Sequence, residues 1–367
     1  MTSSKIQQSL NFVADPEDEA VQSHLKALQN ELEELHDEGY LLQPEMYSED
    51  ECVKLTNSLN AKIQQISASL VRACCGSPGN LSSMSKSKIS AEDLLQIQTI
   101  RPLIGQLAVE FFMDLPSSQH TGSSDNRKYM YIIRCAIQTT LAALCGEIIN
   151  AWSFNKEENR MLSSIYNSLR NQFGICSLWN AFNFHLSTAT DRLHLTDNSA
   201  LTGTWRSLTR SQSKIPEYHH LKPAAIRSYI AETAKVLVLS GYISWNLDDT
   251  QGIIQEYFEE EFADLYNYCF RLDRVTGESI QAFDTEVYRP EPGEAYEHAS
   301  MYNMNSSTKS SNSSSSTTQI AFSCRLGLLK MGTIKPENGG SEPEDEILLK
   351  AGIQFASLLS DFESEIP

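Results

Sequence analysis

The chain has 367 residues, with 29 Lys+Arg against 47 Asp+Glu for a formal net charge of −18, and 41% hydrophobic residues. A surface this acidic disfavours general binding to nucleic-acid phosphates and to anionic membranes, while the apolar share is enough for a sizeable core. Gly 17 and Pro 12 are few for this length, which favours helix over turn-rich architectures.

In chain order, residues 1–16 carry no periodic apolar pattern and are expected to be disordered. From Val21 the apolar positions are Leu25, Leu28, Leu32 and Leu35, the spacing of a coiled-coil seam. A second helix begins at Ser48 and Glu51, in capping-box spacing, and runs along Cys52, Thr56, Leu59, Ile63, Ile66, Leu70 and Ala73. Gly39 and Pro44 separate the two, so residues 17–75 read as a helical hairpin, with an intermolecular coiled coil as the rival. Residues 76–89 have linker composition.

A helix is expected from Ser90 to about Asp114, kinked at Pro102. The apolar stretch 129–152 contains Arg134, Gln138 and Glu147, which favours a core helix over a membrane span. Shorter helices are expected at about 156–171 and 174–188. Pro223 is placed to open a helix reaching about Trp245. Asp248 and Asp249 open the next one, which should bury Ile253, Ile254, Tyr257, Phe258, Phe262, Leu265 and Cys269.

After Arg274 the pattern changes. Residues 274–304 are irregular or extended, with "IQAFDTEVY" reading as a short strand, and 305–318 form a Ser/Thr-rich disordered insertion. Ile320, Phe322, Cys324, Leu326 and Leu328 then alternate at period two, and this second extended segment can pair with the first. A closing amphipathic helix is expected over Ile347, Leu348, Ile353, Phe355, Leu358, Leu359 and Phe362. The expected fold class is therefore mainly α. An N-terminal hairpin precedes a multi-helix bundle over 90–273, and a C-terminal segment (319–367) of two short strands plus a helix packs back on it.

Motifs for chemistry are sparse. The chain holds no GxxxxGK[ST] loop, no GxGxxG after a strand and no GxSxG elbow. Beyond Asp248 and Asp249, an aspartate-rich magnesium–diphosphate motif would need another acidic residue where Gly252 stands. His185 and His194, nine residues apart, are the weak metal candidates, and their polar surroundings read equally as a helix end. No cofactor is called for. The eight cysteines lack CxxC spacing and most sit in apolar runs, the pattern of buried reduced thiols.

One local contrast stands out. Arg206, Arg210, Lys214, Lys222 and Arg227 face a single Glu217 between Leu201 and Ile230, an island of +4 beside Trp205. Such an island serves as a docking site for an anionic partner, or it pairs internally with the Glu256, Glu260 and Asp264 row, the commoner arrangement. The reading that results is a non-catalytic protein-interaction or scaffold protein of the cytoplasm or nucleus. It would bind a protein partner or self-associate through Leu25, Leu28, Leu32 and Leu35, or through the basic island. An all-helical enzyme or small-ligand carrier is the alternative.

Overall fold

The computed structural model describes residues 47–75, 91–114, 123–153, 155–173, 209–210, 218–241, 246–279, 284–304, 318–333 and 344–364. These all belong to the unit Tyr47–Pro367. The expected hairpin partner over Leu25 to Leu35, the expected linker 76–89, Trp205, Arg206, Lys214, His185, His194 and the Ser/Thr run 305–317 lie outside them.

The fold is mainly helical. Helix α1 (Glu49–Cys75) starts as its sequence prescribes. The Glu51 backbone N–H donates to Ser48 Oγ at 3.3 Å, and the Ser48 N–H donates back to Glu51 Oε2 at 2.8 Å. Its stripe of Cys52, Thr56, Leu59, Ile63, Ile66 and Leu70 is buried, but Val71 rather than Ala73 ends it. That stripe faces other elements of the same unit and is not a free seam.

Three helices follow where one was expected: α2 (Ala91–Gln98), α3 (Arg101–Ile104) and α4 (Gln106–Asp114). Pro102 opens α3, and Gly105 separates α3 from α4 at φ +85°. A Cβ at Gly105 would collide with Pro292, so both its backbone conformation and its packing require glycine.

Helix α5 (Ser123–Asn150) is the core element, touching α1, three later helices and the sheets. It is long and apolar enough to cross a membrane, yet 72% of its most apolar window is buried inside the protein. Helix α6 (Lys156–Phe173) follows. Helix α7 (Tyr218–Leu239) begins five residues before Pro223, which sits inside it, and stops two residues before Gly241 (φ +65°), short of Trp245. The left-handed glycine gives the last turn its stop. Helix α8 (Leu247–Arg274) is capped by Asn246, whose Oδ1 accepts from the Asp249 N–H at 2.7 Å. It runs into a π-helical turn, Val275–Ser279.

Among the described residues the strands form two three-stranded sheets. Strands β1 (Asp284–Tyr288), β4 (Gly327–Thr333) and β5 (Glu344–Leu349) make one in the order β1-β4-β5. Strands β2 (Met301–Asn303), β6 (Ala351–Phe355) and β3 (Ile320–Arg325) make the other, in the order β2-β6-β3. Helix α9 (Ser357–Ser364) closes the described chain.

Two expectations change here. The extended segment at 320–331 is strand, as its period predicts, but it breaks at Leu326 and serves both sheets. β1 pairs with β4, Tyr288 opposite Gly327, while β3 pairs with β6. The closing helix shrinks to α9, because Ile347, Leu348, Ile353 and Phe355 lie in β5 and β6. Ladder partners on β4 and β3 override a helical apolar spacing. Gly352 also lets β6 pass beneath Arg325 and Tyr302, where a Cβ would come within 3.0–3.1 Å of both side chains.

Asn60 explains the break. This buried side chain on α1 donates to the Leu326 carbonyl and accepts from the Leu326 N–H, both at 2.9 Å. With both main-chain groups satisfied by a side chain, Leu326 needs no ladder partner and the chain can change sheets there. Tyr288 spans the sheets in turn: its hydroxyl donates to the Ser300 carbonyl and accepts from the Ala351 N–H at 3.0 Å.

Candidate functional site

The buried charges of the described residues gather at the C-terminal end of α5. Arg210 and Asp273 form an ion pair, Nη1 to Oδ1 at 3.3 Å, with side chains only 6% and 2% exposed. Arg210 Nη2 also donates to the Ile149 carbonyl at 3.0 Å, among the last carbonyls of α5, where a cation meets the negative end of the helix dipole. The guanidinium lies over Trp152, 5.2 Å from the ring centroid. The Trp152 ring in turn packs on Tyr166 of α6 at 4.8 Å.

Gly277 in the π-helical turn makes the room. A Cβ there would lie 2.5 Å from Arg210 Nη1 and 2.8 Å from its Cδ. One arginine thus joins the end of α5, the end of α8 and the turn beyond it. Because both charges are buried and paired, this arrangement positions elements and offers no charge to solvent.

The other basic residues of the island divide differently. Lys222 is half-buried and Arg227 exposed, both on α7. The internal partner of Arg210 is Asp273, not the row on α8, and within that row Asp264 pairs with Lys62 of α1 at 3.0 Å. Sequence offered no sign of Asp273, Trp152 or Gly277 as partners of Arg210. The three are scattered through the chain, and only the fold brings them to one point.

Near the same helix end, Arg289 is half-buried and its Nη1 is buried without a hydrogen-bond partner. Burial lowers its pKa, against the acidic influence of Glu291, Glu147 and Glu294. Glu232 of α7 accepts from Lys235 Nζ at 2.7 Å, and Lys235 donates also to Thr99 at 2.9 Å. Among the described residues no group of three or more His, Cys, Asp or Glu is placed to hold a metal ion.

The interior thiols are unreactive by environment. Cys145 and Cys269 flank the Tyr229 hydroxyl at 3.9 and 3.6 Å, all three fully buried. Burial pushes Cys145 and Tyr229 well above their ordinary pKa values. It does the same to Cys324, whose thiol donates to the Cys135 carbonyl at 3.8 Å. Cys74, partly exposed on α1, is pushed up to about 11. A thiol held neutral is a poor nucleophile and a poor metal ligand.

The outer face of α8 is the remaining feature. Tyr257, which its spacing assigned to the core, is 65% exposed, and Tyr268 is 39% exposed. Ile254, Phe258, Phe262, Leu265 and Cys269 of the expected stripe are buried, while Ile253 is half-buried and Tyr257 points outward. Glu256, Glu260 and Arg271 are exposed on the same side. Among the described residues their side chains make no hydrogen bond or ion pair.

Comparison with known proteins finds no family model, no curated protein and no solved structure that matches the chain.

Proposed function

We propose that this is a non-catalytic helical protein of the cytoplasm or nucleus that works by binding other protein surfaces, a scaffold built on a multi-helix bundle with an N-terminal hairpin. The observation that carries the reading is the division of charge. Interior polar groups such as Arg210, Asp273 and Asn60 are committed to joining elements, while Glu256, Glu260, Arg271 and the two exposed tyrosines of α8 are not.

The proposed contact surfaces are the Leu25, Leu28, Leu32 and Leu35 seam and the accessible part of the basic island: exposed Arg227 and half-buried Lys222, with Trp205, Arg206 and Lys214 beside them in sequence. Arg210, held inside, acts on the island only by anchoring its chain. The acidic surface adds solubility and selects against nucleic acid.

Native mass spectrometry of the protein purified gently from its own cells tests this. A stoichiometric complex with another protein, or an assembly of copies, is the expected result. A monomer carrying a stoichiometric metal ion or small molecule would overturn the proposal in favour of an enzyme or carrier.

A further inference from the structure

The outer face of α8 has a property that a solvated face does not need: it is complementary to itself when reversed. Glu256, Glu260, Asn267 and Arg271 are exposed and follow at intervals of 4, 7 and 4 residues. At 3.6 residues per turn these positions stay on one line along the helix. The interval pattern reads the same in both directions. A second helix laid antiparallel therefore places Glu256 opposite Arg271 of the other copy, Glu260 opposite Asn267, and repeats both contacts across the two-fold axis.

The tyrosines obey the same symmetry. Tyr257 and Tyr268 follow Glu256 and Asn267 by one residue each, so they share one flank of that line. In an antiparallel helix pair, like flanks of the two copies meet. Eleven residues, about 16 Å of helix, separate the two rings. Reversal brings each tyrosine level with a point two residues, about 3 Å of helix, from the other copy's other tyrosine, within reach of the two rings. The apolar area left exposed in one copy would then be covered twice.

The charges that would oppose this arrangement are accounted for. Asp264 falls next to the axis, where two copies would repel, but its carboxylate is paired with Lys62 at 3.0 Å. Glu256 and Glu260 lie toward the N-terminal half of the helix and Arg271 toward its C-terminal end. The acidic half of each copy is thus offered the basic end of the other, not its acidic half.

We propose that α8 is a homodimerisation helix: a second copy of this chain docks antiparallel on its outer face, through Glu256–Arg271 pairs and a Tyr257–Tyr268 contact. This rests on the interaction reading above and makes it specific. An isologous two-fold interface needs such self-complementarity and no other partner. A basic segment of a different protein could satisfy the glutamates, but it would leave Arg271 facing a like charge.

The test is sedimentation equilibrium of the purified full chain, alone, at about 50 mM salt, where opposite charges are least screened. The expected result is a dimer. Glu256→Arg and Arg271→Glu should each raise the dissociation constant about tenfold or more, since each sets like charges opposite one another twice. The double variant, Glu256→Arg with Arg271→Glu, restores both pairs with their signs exchanged and should return to within about threefold of the parent.

Circular dichroism of every variant checks that the exposed substitutions leave the helices intact. A parent chain that stays monomeric up to about 100 μM, in the range of weak complexes, overturns the proposal. So does a dimer indifferent to the single reversals, or one that the double variant fails to recover. Because no other protein is present, these outcomes leave the search for other partners in native complexes unaffected.

Discussion

Helix meets helix in this protein by a different chemistry from helix meeting sheet. Between α5, α7 and α8 the contact is nearly all apolar: Ile133, Leu141, Tyr229, Leu237, Phe262 and Leu265 are among the buried residues of the main core. Between the helices and the strands, where Phe322, Leu326 and Leu328 belong to the same core, long-range polar side chains are added to the apolar contact. Asn60 of α1 holds Leu326, and Asn150 of α5 donates to the Val287 carbonyl at 2.6 Å. Gln354 of β6 donates to the Tyr131 hydroxyl at 2.8 Å, and Arg325 of β3 donates to Gln64 at 3.1 Å. An apolar contact tolerates small slips, whereas a strand displaced by one residue loses every such bond. The polar clips therefore fix register where the apolar contact fixes only proximity.

The strongest expected disruption lies where a polar clip enters the helical region. Arg210→Ala leaves Asp273 buried without its partner and strips the α5 end of its cation. It should cost about 3–5 kcal/mol, the usual penalty for breaking a buried pair from one side. Urea unfolding would show this as a lower midpoint, and a loss under about 1 kcal/mol would mean that Asp273 is reached by water. Gly277→Ala attacks the same place by sterics. Its Cβ would press on Arg210, and about 1–3 kcal/mol is expected, as for overpacking.

Asn60→Ala separates the two kinds of contact most sharply. It orphans both the N–H and the C=O of Leu326, at about 1–3 kcal/mol for an unsatisfied buried group. Hydrogen exchange should show β3 and β4 losing protection while the middle of α5 keeps it. Uniform loss across all elements would mean that the sheets and helices open together as one unit. By contrast, Tyr229→Phe removes a hydroxyl between two thiols inside the apolar contact. Sulfur is a weak hydrogen-bond partner, so under about 1 kcal/mol should be lost.

This division also decided what was legible in the sequence. The mainly helical class, the Ser48–Glu51 start of α1 and its buried stripe could be read directly, since capping and 3.6-residue periodicity are local. The exact burial of α8 could not, because Ile253–Ile254 and Tyr257–Phe258 are adjacent apolar pairs, and only packing chooses one of each. Nor could β5 and β6: Ile347, Leu348, Ile353 and Phe355 suit one face of a helix, and strand pairing with β4 and β3 overrules that spacing. As for the candidate site, the sequence located the basic island but gave no means to tell Arg210 from Arg227. One is buried against Asp273 and the other exposed, a difference set by residues more than 60 positions away in the chain.

The smallest effect tests whether a charge on the surface can matter through geometry alone. Glu51 is exposed, yet the Ser48 N–H, then the Ser48 hydroxyl, hold its carboxyl below the ordinary value of 4.5. A carboxyl whose folded pKa is depressed adds stability that is whole above the unfolded pKa and disappears as pH falls through the folded one. The unfolding midpoints of the parent and Glu51→Ala should therefore differ at pH 6 and draw together as the pH is lowered from 4.5 toward 3. A difference that stays constant over that range would assign the effect of the substitution to helix propensity rather than to the charged cap. The start of α1 would then owe nothing to the ionised glutamate, and the local signal most plainly readable in the sequence would be marking the helix start by the Ser48 hydroxyl alone.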